Sequence, residues 1–432
     1  MIRSYWQAFI IIAILEFSVL IAGFWMLGDY EVKRFNVWPI SEWLINYQGG
    51  FVRRGLMGEL LRFFSQGQKI IPALNPLVLI FFYTYIAIFI SVYQLAKIQR
   101  ASLLIIALLI PGGIFHMAIG AIFYPRKEIL FLIHFGILCL LYLILLGCES
   151  NRKTIFLNLF GIVAIVGGSL LMLIHEAYFF MAYPITVLLF FILYRENITY
   201  FPLKFQLISF ILVVPILFLI CTIYRGNSDV AQIIWDSYTL SDRIILAPAA
   251  PYTAGYATAG LGWTTNQHLS TLYGVYISGT WIYWLLFYIA NALVIIYSAI
   301  QISLGFNTDR KSISKESSKN LALVLVTISA WLISSSMFFI ASDYGRWIAC
   351  ASNLTILFLF TISRSTFIRT LNKVSNALHR TLHSYFYRFG SSLIVLMVIL
   401  GYELIFQMPE CCISEGDIYI PYLKFIGLYQ TN

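Results

Sequence analysis

The chain has 432 residues, of which 60% are hydrophobic and only 11% are charged, and its mean hydropathy is +0.84. Soluble globular proteins are about 45–50% apolar and about 25% charged. The composition therefore excludes a cytoplasmic enzyme, a nucleic-acid-binding domain and a secreted disulfide scaffold. The net charge of +9 is explained in a membrane protein by the excess of Lys and Arg that cytoplasmic loops carry.

Long apolar blocks predict a helical polytopic membrane protein rather than an outer-membrane barrel, whose strands would alternate in polarity. Eleven segments have the roughly 20 apolar residues that cross a bilayer: 7–27, 77–96, 102–122, 129–147, 155–174, 177–194, 205–224, 281–301, 321–341, 347–363 and 391–407. The first lacks a small-residue cleavage site and is interpreted as a retained anchor. The fifth and sixth leave almost no turn between them, and Tyr183-Pro184 is an alternative position for that turn.

The connections between these spans alternate in charge. Sixteen Lys and Arg fall on one side if the amino terminus also lies there, and the positive-inside rule makes that side the cytoplasm. The sequence thus predicts one all-α integral membrane domain over 1–432 with a periplasmic carboxyl terminus. Its outer side receives a first loop with interfacial helices, 28–76, and a large loop between spans seven and eight, 225–280. A basic loop, 364–390, is predicted in the cytoplasm.

Four short polar runs are predicted on the outer side. Ionisable groups near the membrane are costly to bury, so we treat these runs as candidate functional sites. In the first run, Gly49-Gly50 precede Arg53 and Arg54. Glycine permits close backbone approach, and two adjacent guanidiniums suit a phosphate or diphosphate that they grip bidentately. The alternative is that both arginines reach out to lipid headgroups.

The second run places Arg126 and Lys127 directly after Pro125 and before the fourth span. Proline fits the first turn of a helix, whose free amides favour an anion, and the two cations would add full charges. An interfacial belt with an Arg126–Glu128 pair is the equal alternative.

The third run is His175-Glu176, between two apolar spans. A carboxylate beside an imidazole in a low-dielectric setting can have a raised pKa and act as a catalytic base. A hydrogen-bonded hairpin turn is the alternative interpretation.

The fourth run contains Asp343, Arg346 and Trp347. These residue types could bind sugar hydroxyls or phosphate, with the indole stacking on a sugar face, or Asp343 and Arg346 could simply pair with each other. In the large outer loop, Trp263 is a further candidate for binding carbohydrate. Two acids inside predicted spans, Glu16 and Glu403, instead favour a transporter.

The Gly-Gly-Phe-Val-Arg-Arg-Gly-Leu and Asp-Tyr-Gly-Arg-Trp runs look like those of membrane proteins from polysaccharide gene clusters. With eleven spans and one long outer loop, the chain resembles the Wzy-type O-antigen and capsule polymerases of the bacterial inner membrane. The resemblance implies joining of undecaprenyl-diphosphate-linked repeat units on the periplasmic face, without metal or other cofactor. It also implies a chain-length regulator protein as a partner and no nucleic acid.

Carried onto this sequence, the resemblance has Arg53, Arg54, Arg126 and Arg346 holding diphosphates. Either His175 or Glu176 would deprotonate the acceptor hydroxyl. A GT-C-type glycosyltransferase using a polyprenyl-phosphate sugar is a second resemblance, because Asp29 and Glu31 stand just after span one. A lipid-linked oligosaccharide flippase is the rival from another functional class.

Overall fold

The computed structural model describes residues 37–66, 68–98, 100–114, 126–247, 253–277, 279, 281–305, 321–339, 343–371 and 393–406. The regular elements in these parts of the chain are all helical. The predicted span 7–27, the acids Glu16, Asp29 and Glu31, most of the basic loop 364–390 and the carboxyl tail lie outside the described residues.

Seventeen α-helices are described, numbered here in chain order. They are α1 (Val37–Leu44), α2 (Gly55–Ser65), α3 (Ile71–Leu95), α4 (Ala101–Leu109), α5 (Ile129–Leu145), α6 (Ser150–Ile174), α7 (Tyr178–Glu196), α8 (Phe201–Ile223), α9 (Ser228–Asp236), α10 (Leu240–Leu246), α11 (Tyr256–Ala259), α12 (Thr265–Ile277), α13 (Trp281–Gly305), α14 (Leu321–Ser334), α15 (Tyr344–Ile362), α16 (Thr366–Leu371) and α17 (Leu393–Ile405).

Six helices in the described parts of the chain are long and apolar enough to cross a membrane: Ile71–Leu95, Arg152–Ile174, Tyr178–Glu196, Phe201–Ile223, Trp281–Ser303 and Tyr344–Ile362. Three shorter apolar helices accompany them: Ile129–Leu145, Leu321–Ser334 and Ile394–Glu403. Each falls on a predicted span, which confirms a helical membrane protein. The count of eleven spans stays a prediction.

The turn between the fifth and sixth predicted spans lies at residues 175–177. Helix α6 ends at Ile174 and α7 begins at Tyr178. Helix α7 continues through Pro184, so the alternative turn at that proline is wrong. A membrane helix tolerates such a proline because neighbouring groups satisfy the freed carbonyl.

The predicted span 102–122 is wrong as one continuous helix, because α4 ends at Leu109. Pro111 restricts the residue before it to extended backbone, and Ile110 has ψ 134°. Gly112 then takes the left-handed conformation with φ +79°. The side-chain amides of Asn291 and Asn353 donate to the carbonyls of Pro111 and Gly112, at 2.9 and 3.0 Å. The break therefore leaves neither carbonyl unsatisfied inside the bundle.

Helix α15 is the central element and is buried along its whole length. It packs against α3, α5, α7, α13 and α14. At its first turn Arg346 Nε lies 3.3 Å from Glu128, directly before α5. Beyond its last turn Ser365 donates to Glu196, the last residue of α7, and Tyr142 near the end of α5 donates to the same carboxylate. Helices α5, α7 and α15 therefore run in the same direction, and the segments predicted to share the outer side meet at one end.

The first half of the predicted outer loop, 225–280, contains two short helices. The chain forms α9 and α10, separated at residues 237–239, because the Thr239 hydroxyl accepts from the Asp242 amide and caps α10. Asp242 in turn accepts from the amides of Ile70 and Ile71 at 3.2 and 3.3 Å. These bonds dock the outer segment on the start of α3, which begins six residues earlier than the predicted span at 77.

Candidate functional site

Nine ionisable side chains of opposite charge and one histidine meet where α5, α7 and α15 begin. We call this group the charge cluster. It consists of the bases Arg53, Arg54, Arg126, Lys127 and Arg346, the acids Glu42, Glu128, Glu176 and Asp343, and His175. The structure thus brings together all four predicted polar runs, which are separated by up to almost 300 residues in the sequence.

The loop that carries the first two arginines is shaped by the two glycines predicted to allow close approach. A Cβ on Gly49 would lie 2.9 Å from the carbonyl oxygen of Val230 in α9, and Gly50 has φ +97°. Arg54 itself is left-handed, with φ 67°, and directly precedes α2. The backbone thereby turns both guanidiniums towards the end of α6.

Arg53 and Arg54 share one carboxylate. Arg54 Nε and Nη2 donate to Glu176 at 2.8 and 2.6 Å, and Arg53 Nη1 donates at 3.2 Å. Burial raises the pKa of Glu176, but Arg54 and Arg53 outweigh it and hold that pKa well below its usual range. The prediction that Glu176 is a carboxyl of raised pKa is therefore wrong, because two guanidiniums stabilise its charged form.

Glu42 lies in the inner part of the cluster and is paired with three arginines. Its carboxylate lies 3.5 Å from Arg54, 3.5 Å from Arg126 and 3.8 Å from Arg346. Burial raises the pKa of Glu42, yet Arg346, then Arg126, lower it to about 2. Glu42 is therefore an anion that joins three separate elements to α1.

Arg346 pairs with the predicted partner Asp343 and also with Glu128. Its Nε lies 3.3 Å from Asp343, as the pairing alternative predicts, and 3.3 Å from Glu128. Its guanidinium carbon stands 4.0 Å above the Trp347 ring. Because Trp347 is buried beneath this arginine, the predicted stacking of that indole on a sugar face does not fit this conformation.

Lys127 ties two loops together instead of presenting a free charge to a ligand. Its ammonium donates to the carbonyl oxygens of Arg54 and Ile174, at 3.2 and 3.3 Å. Burial lowers the pKa of Lys127 to about 7. The predicted role in phosphate binding is thus weakened, since two of three ammonium hydrogens are used within the protein.

His175 is fully buried at the α6–α7 turn. Its Nδ1 accepts the amide hydrogen of Ala177 at 3.1 Å, and its Nε2 lies 3.7 Å from Glu128. Burial holds the pKa of His175 well below its ordinary value. The neutral imidazole stabilises the turn and has its basic nitrogen occupied, so it is poorly placed to act as a base.

Glu128, beside this imidazole, is an acid whose pKa burial raises.

Several buried polar atoms around Arg346 make no hydrogen bond within the described residues. The donors are Arg346 Nε and Nη1 and Trp347 Nε1, and the acceptors are both Glu128 oxygens and Asp343 Oδ1. Native proteins pair most buried polar groups, so each exception needs an explanation. Donors and acceptors side by side suit a ligand with both kinds of group, such as a hydroxylated one.

Trp263 is the predicted site residue that lies apart from the ion pairs. Its ring packs against Trp38, with centroids 5.4 Å apart. Trp38 and Glu42 are four residues apart in α1 and therefore share a helix face. Trp263 therefore contacts the helix that carries Glu42.

Two acids of the cluster were not predicted as site residues. Glu42 stands seven residues before Gly49, where the first run begins, and Glu128 was considered only as the partner of Arg126. A lone acid in the apolar stretch Val37–Leu44 was the available signal for Glu42.

Among the described residues, no group of three or more His, Cys, Asp or Glu could hold a metal ion.

Comparison with known proteins identifies a family. The family model described as "uncharacterised membrane protein Rv1490" matches residues 9–234, just over half of the chain. No curated protein matches the chain, and no solved structure does. The matched region holds three of the four polar runs and Glu42, whereas Asp343 and Arg346 lie beyond it. The chain belongs to the Rv1490 family of membrane proteins.

Proposed function

We propose that the protein is a glycosyltransferase of the bacterial inner membrane that acts on a polyprenyl-linked glycan at the charge cluster. In its specific form, the proposal is a polymerase that joins undecaprenyl-diphosphate-linked repeat units in O-antigen or capsule synthesis. The observation that supports it is the convergence of four arginines from three separate runs at the ends of apolar helices. A lipid-linked phosphate presents its charge at this depth.

The orientation belongs to the same proposal. With eleven spans and a cytoplasmic amino terminus, the cluster faces the periplasm and sixteen Lys and Arg face the cytoplasm. The agreement between the predicted outer runs and their meeting at one end of the bundle supports this topology. Polymerisation on the periplasmic face follows from it.

Arginines would act on the leaving group. Departure of a lipid-linked phosphate or diphosphate places charge on its oxygens, and preorganised guanidiniums contribute several kcal/mol to such a transition state. Arg53 and Arg54 are the best placed, since about a fifth of each side chain is exposed, against 8% for Arg126 and Arg346.

Glu128 replaces Glu176 and His175 as the proposed base for the acceptor hydroxyl. Burial raises its pKa, and its oxygens make no hydrogen bond within the described residues, although Oε1 lies 3.3 Å from Arg346 Nε. A positioned general base contributes about 10²–10⁴-fold to rate. His175 would position Glu128 from 3.7 Å.

A flippase is kept as a second candidate because of the broken helix at residues 110–113. Transporters often place substrate sites at interrupted helices near the bilayer midplane. In this chain Asn291 and Asn353 already satisfy the freed carbonyls. The charges gather at one membrane face instead of along a path, which favours the enzyme.

The surface-polysaccharide profile of a deletion strain, with and without complementation, tests the proposal. Collapse of the ladder to a single core-plus-one-unit band is the expected result for a polymerase. Loss of all material beyond the lipid core would contradict the polymerase form of the proposal and point to an earlier glycosyltransferase or a flippase. An unchanged ladder would remove the glycan proposals altogether.

A further inference from the structure

Glu176 makes the most accessible ion pairs of the charge cluster. Its side chain is 13% exposed, and those of Arg53 and Arg54 are 21% and 20% exposed. Glu42 and Glu128, by comparison, are 2% exposed, and Asp343, which is 16% exposed, pairs with Arg126 and Arg346, whose side chains are each 8% exposed. A ligand arriving from outside the bundle would therefore reach this pair of arginines before it reached the inner part of the cluster.

The donors around Glu176 are arranged as they would be around a phosphate group. Arg54 donates to both carboxylate oxygens of Glu176 through Nε and Nη2. Arg53 Nη1 donates to Oε1, which also accepts from Arg54. Guanidinium groups bind carboxylate and phosphate with the same fork geometry. The Glu176 side chain thus occupies the position that an anionic ligand of these two arginines would take.

The backbone around Glu176 is fixed by hydrogen bonds, whereas its side chain, among the described residues, contacts only the guanidiniums of Arg53 and Arg54 and the ring of His175. The Ile174 carbonyl accepts from Lys127, the Ala177 amide donates to His175, and the Phe179 amide donates to the Glu176 carbonyl. Rotation of one side chain would therefore free both guanidiniums without moving α6 or α7. Arg54 would keep Glu42 as a partner at 3.5 Å.

We infer that Glu176 is an internal competitor that closes a phosphate site at Arg53 and Arg54 until an anionic ligand displaces it. The ligand class is a phosphate or diphosphate ester, which is the leaving group of the proposed reaction, and the inference rests on the proposed function. The contact is autoinhibitory, because the apparent affinity is the intrinsic affinity multiplied by the fraction of molecules in which the site is open. It also keeps two buried cations compensated while the site is empty of ligand.

Equilibrium binding to the full chain in nanodiscs of zwitterionic lipid tests the inference. The probes are inorganic diphosphate and a short-chain polyprenyl diphosphate. Glu176→Gln keeps the size of the side chain and removes its charge, so it should bind both probes at least about tenfold more tightly than the wild type. The double variant Glu176→Gln with Arg54→Ala should lose this gain.

Glu149→Gln is the matched control, since Glu149 is an exposed acid at the opposite end of α6. It should bind like the wild type. If only the polyprenyl ester gains affinity, the lipid portion is part of the recognised ligand, and if both probes gain equally, the phosphate alone is. A gain that disappears when anionic lipid replaces the zwitterionic lipid identifies bulk headgroups as the competitor and overturns the assignment to a dedicated ligand.

Equal binding by wild type and Glu176→Gln overturns the inference. If Glu176→Gln is not recovered as folded protein, Glu176→Asp decides, because it keeps the charge but its shorter side chain cannot reach both guanidiniums. It should also bind more tightly than the wild type, and unchanged binding contradicts the inference. The proposed function fails separately, when the polysaccharide ladder survives deletion of the gene.

Discussion

At the scale of single residues, Glu42 determines whether the cluster can be buried. Three guanidiniums from three elements lie within 3.8 Å of its carboxylate. Replacing a buried ion pair by apolar groups is often tolerated, whereas removing one partner leaves an uncompensated charge. Three of the four arginines of the cluster therefore depend on this one acid for part of their charge compensation.

Glu42→Gln should lower the stability of the protein by about 3–5 kcal/mol, the range for one broken buried pair. Gln keeps the volume, so the loss reports the charge and not a cavity. The measurement is the thermal unfolding midpoint of the detergent-purified protein. Asp236→Asn is the control, because Asp236 pairs with Arg243 at 3.1 Å but is 53% exposed, and a surface pair contributes about 0–1 kcal/mol. Equal midpoints for the two variants would contradict the central role of Glu42.

The lowered pKa of Lys127 predicts that the free energy of unfolding depends on pH. Its pKa is about 7 in the folded protein and 10.5 ordinarily, because burial lowers it. Between these pH values the unfolded chain holds a proton that the folded chain has released. Stability contributed by this residue therefore rises with pH from about 7 to 10.5, by at most about 1.4 kcal/mol per pH unit, and is constant below 7.

The comparison of wild type with Lys127→Met isolates this effect from other titrating groups. As pH rises from 7 to 9, the melting midpoint of the wild type should increase relative to that of the variant. A difference between the two midpoints that stays constant over this range would show that Lys127 keeps its proton when folded.

At the scale of elements, the break after α4 is held by backbone geometry and by two asparagines. A Cβ on Gly112 would lie 2.7 Å from the Cβ of Ala349 in α15. The left-handed backbone at Gly112 disfavours any other residue as well. Helix α15 can therefore pack this closely against the break only because Gly112 has no side chain.

Gly112→Ala should destabilise the protein by about 2–5 kcal/mol, from backbone strain of about 1–2 kcal/mol and overpacking of about 1–3 kcal/mol. Gly401→Ala is the matched control, since Gly401 is in helix α17 and no heavy atom of the described residues lies within 4 Å of the position that its added methyl group would take. That variant should be neutral or slightly more stable. The melting midpoints of both variants decide, and a tolerated Gly112→Ala would contradict the tight packing of α15 on the break.

Hydropathy predicted the long helices well because an apolar run of about 20 residues has few alternatives in a membrane. It predicted the turn before Tyr178 but extended the third span through Pro111-Gly112-Gly113. That segment is apolar along its whole length. The groups that stabilise the break, Asn291 and Asn353, come from distant helices, so no local pattern could show that the carbonyls would be satisfied there.

At the scale of the whole molecule, the topology brings distant polar runs to one end of the bundle. The charge pattern predicted that 126–128, 175–176 and 343–346 share a side, and Glu128 joins them through its contacts with His175 and Arg346. The sequence could not show that the cations would meet acids such as Glu42. Pairing depends on the rotation of each helix, which hydropathy does not determine.

The predicted orientation is tested by labelling with a membrane-impermeant maleimide in a variant whose six native cysteines are replaced. Gln48→Cys is exposed in the loop next to the cluster, and Glu149→Cys is exposed at the opposite end of α6. Spheroplasts should label the first position and not the second until they are lysed. The reverse pattern would place the cluster in the cytoplasm and contradict a periplasmic site.

The central claim is that Arg53 and Arg54 hold the phosphate of a lipid-linked glycan. The most direct test is the polysaccharide ladder of the deletion strain complemented with Arg53→Ala, Arg54→Ala or the control Arg62→Ala. Arg62 is 38% exposed in the same segment and pairs with Glu59 at 3.6 Å. With equal amounts of protein in the membrane, the first two variants should give a single core-plus-one-unit band and Arg62→Ala a full ladder. Full ladders from the first two variants would contradict the claim.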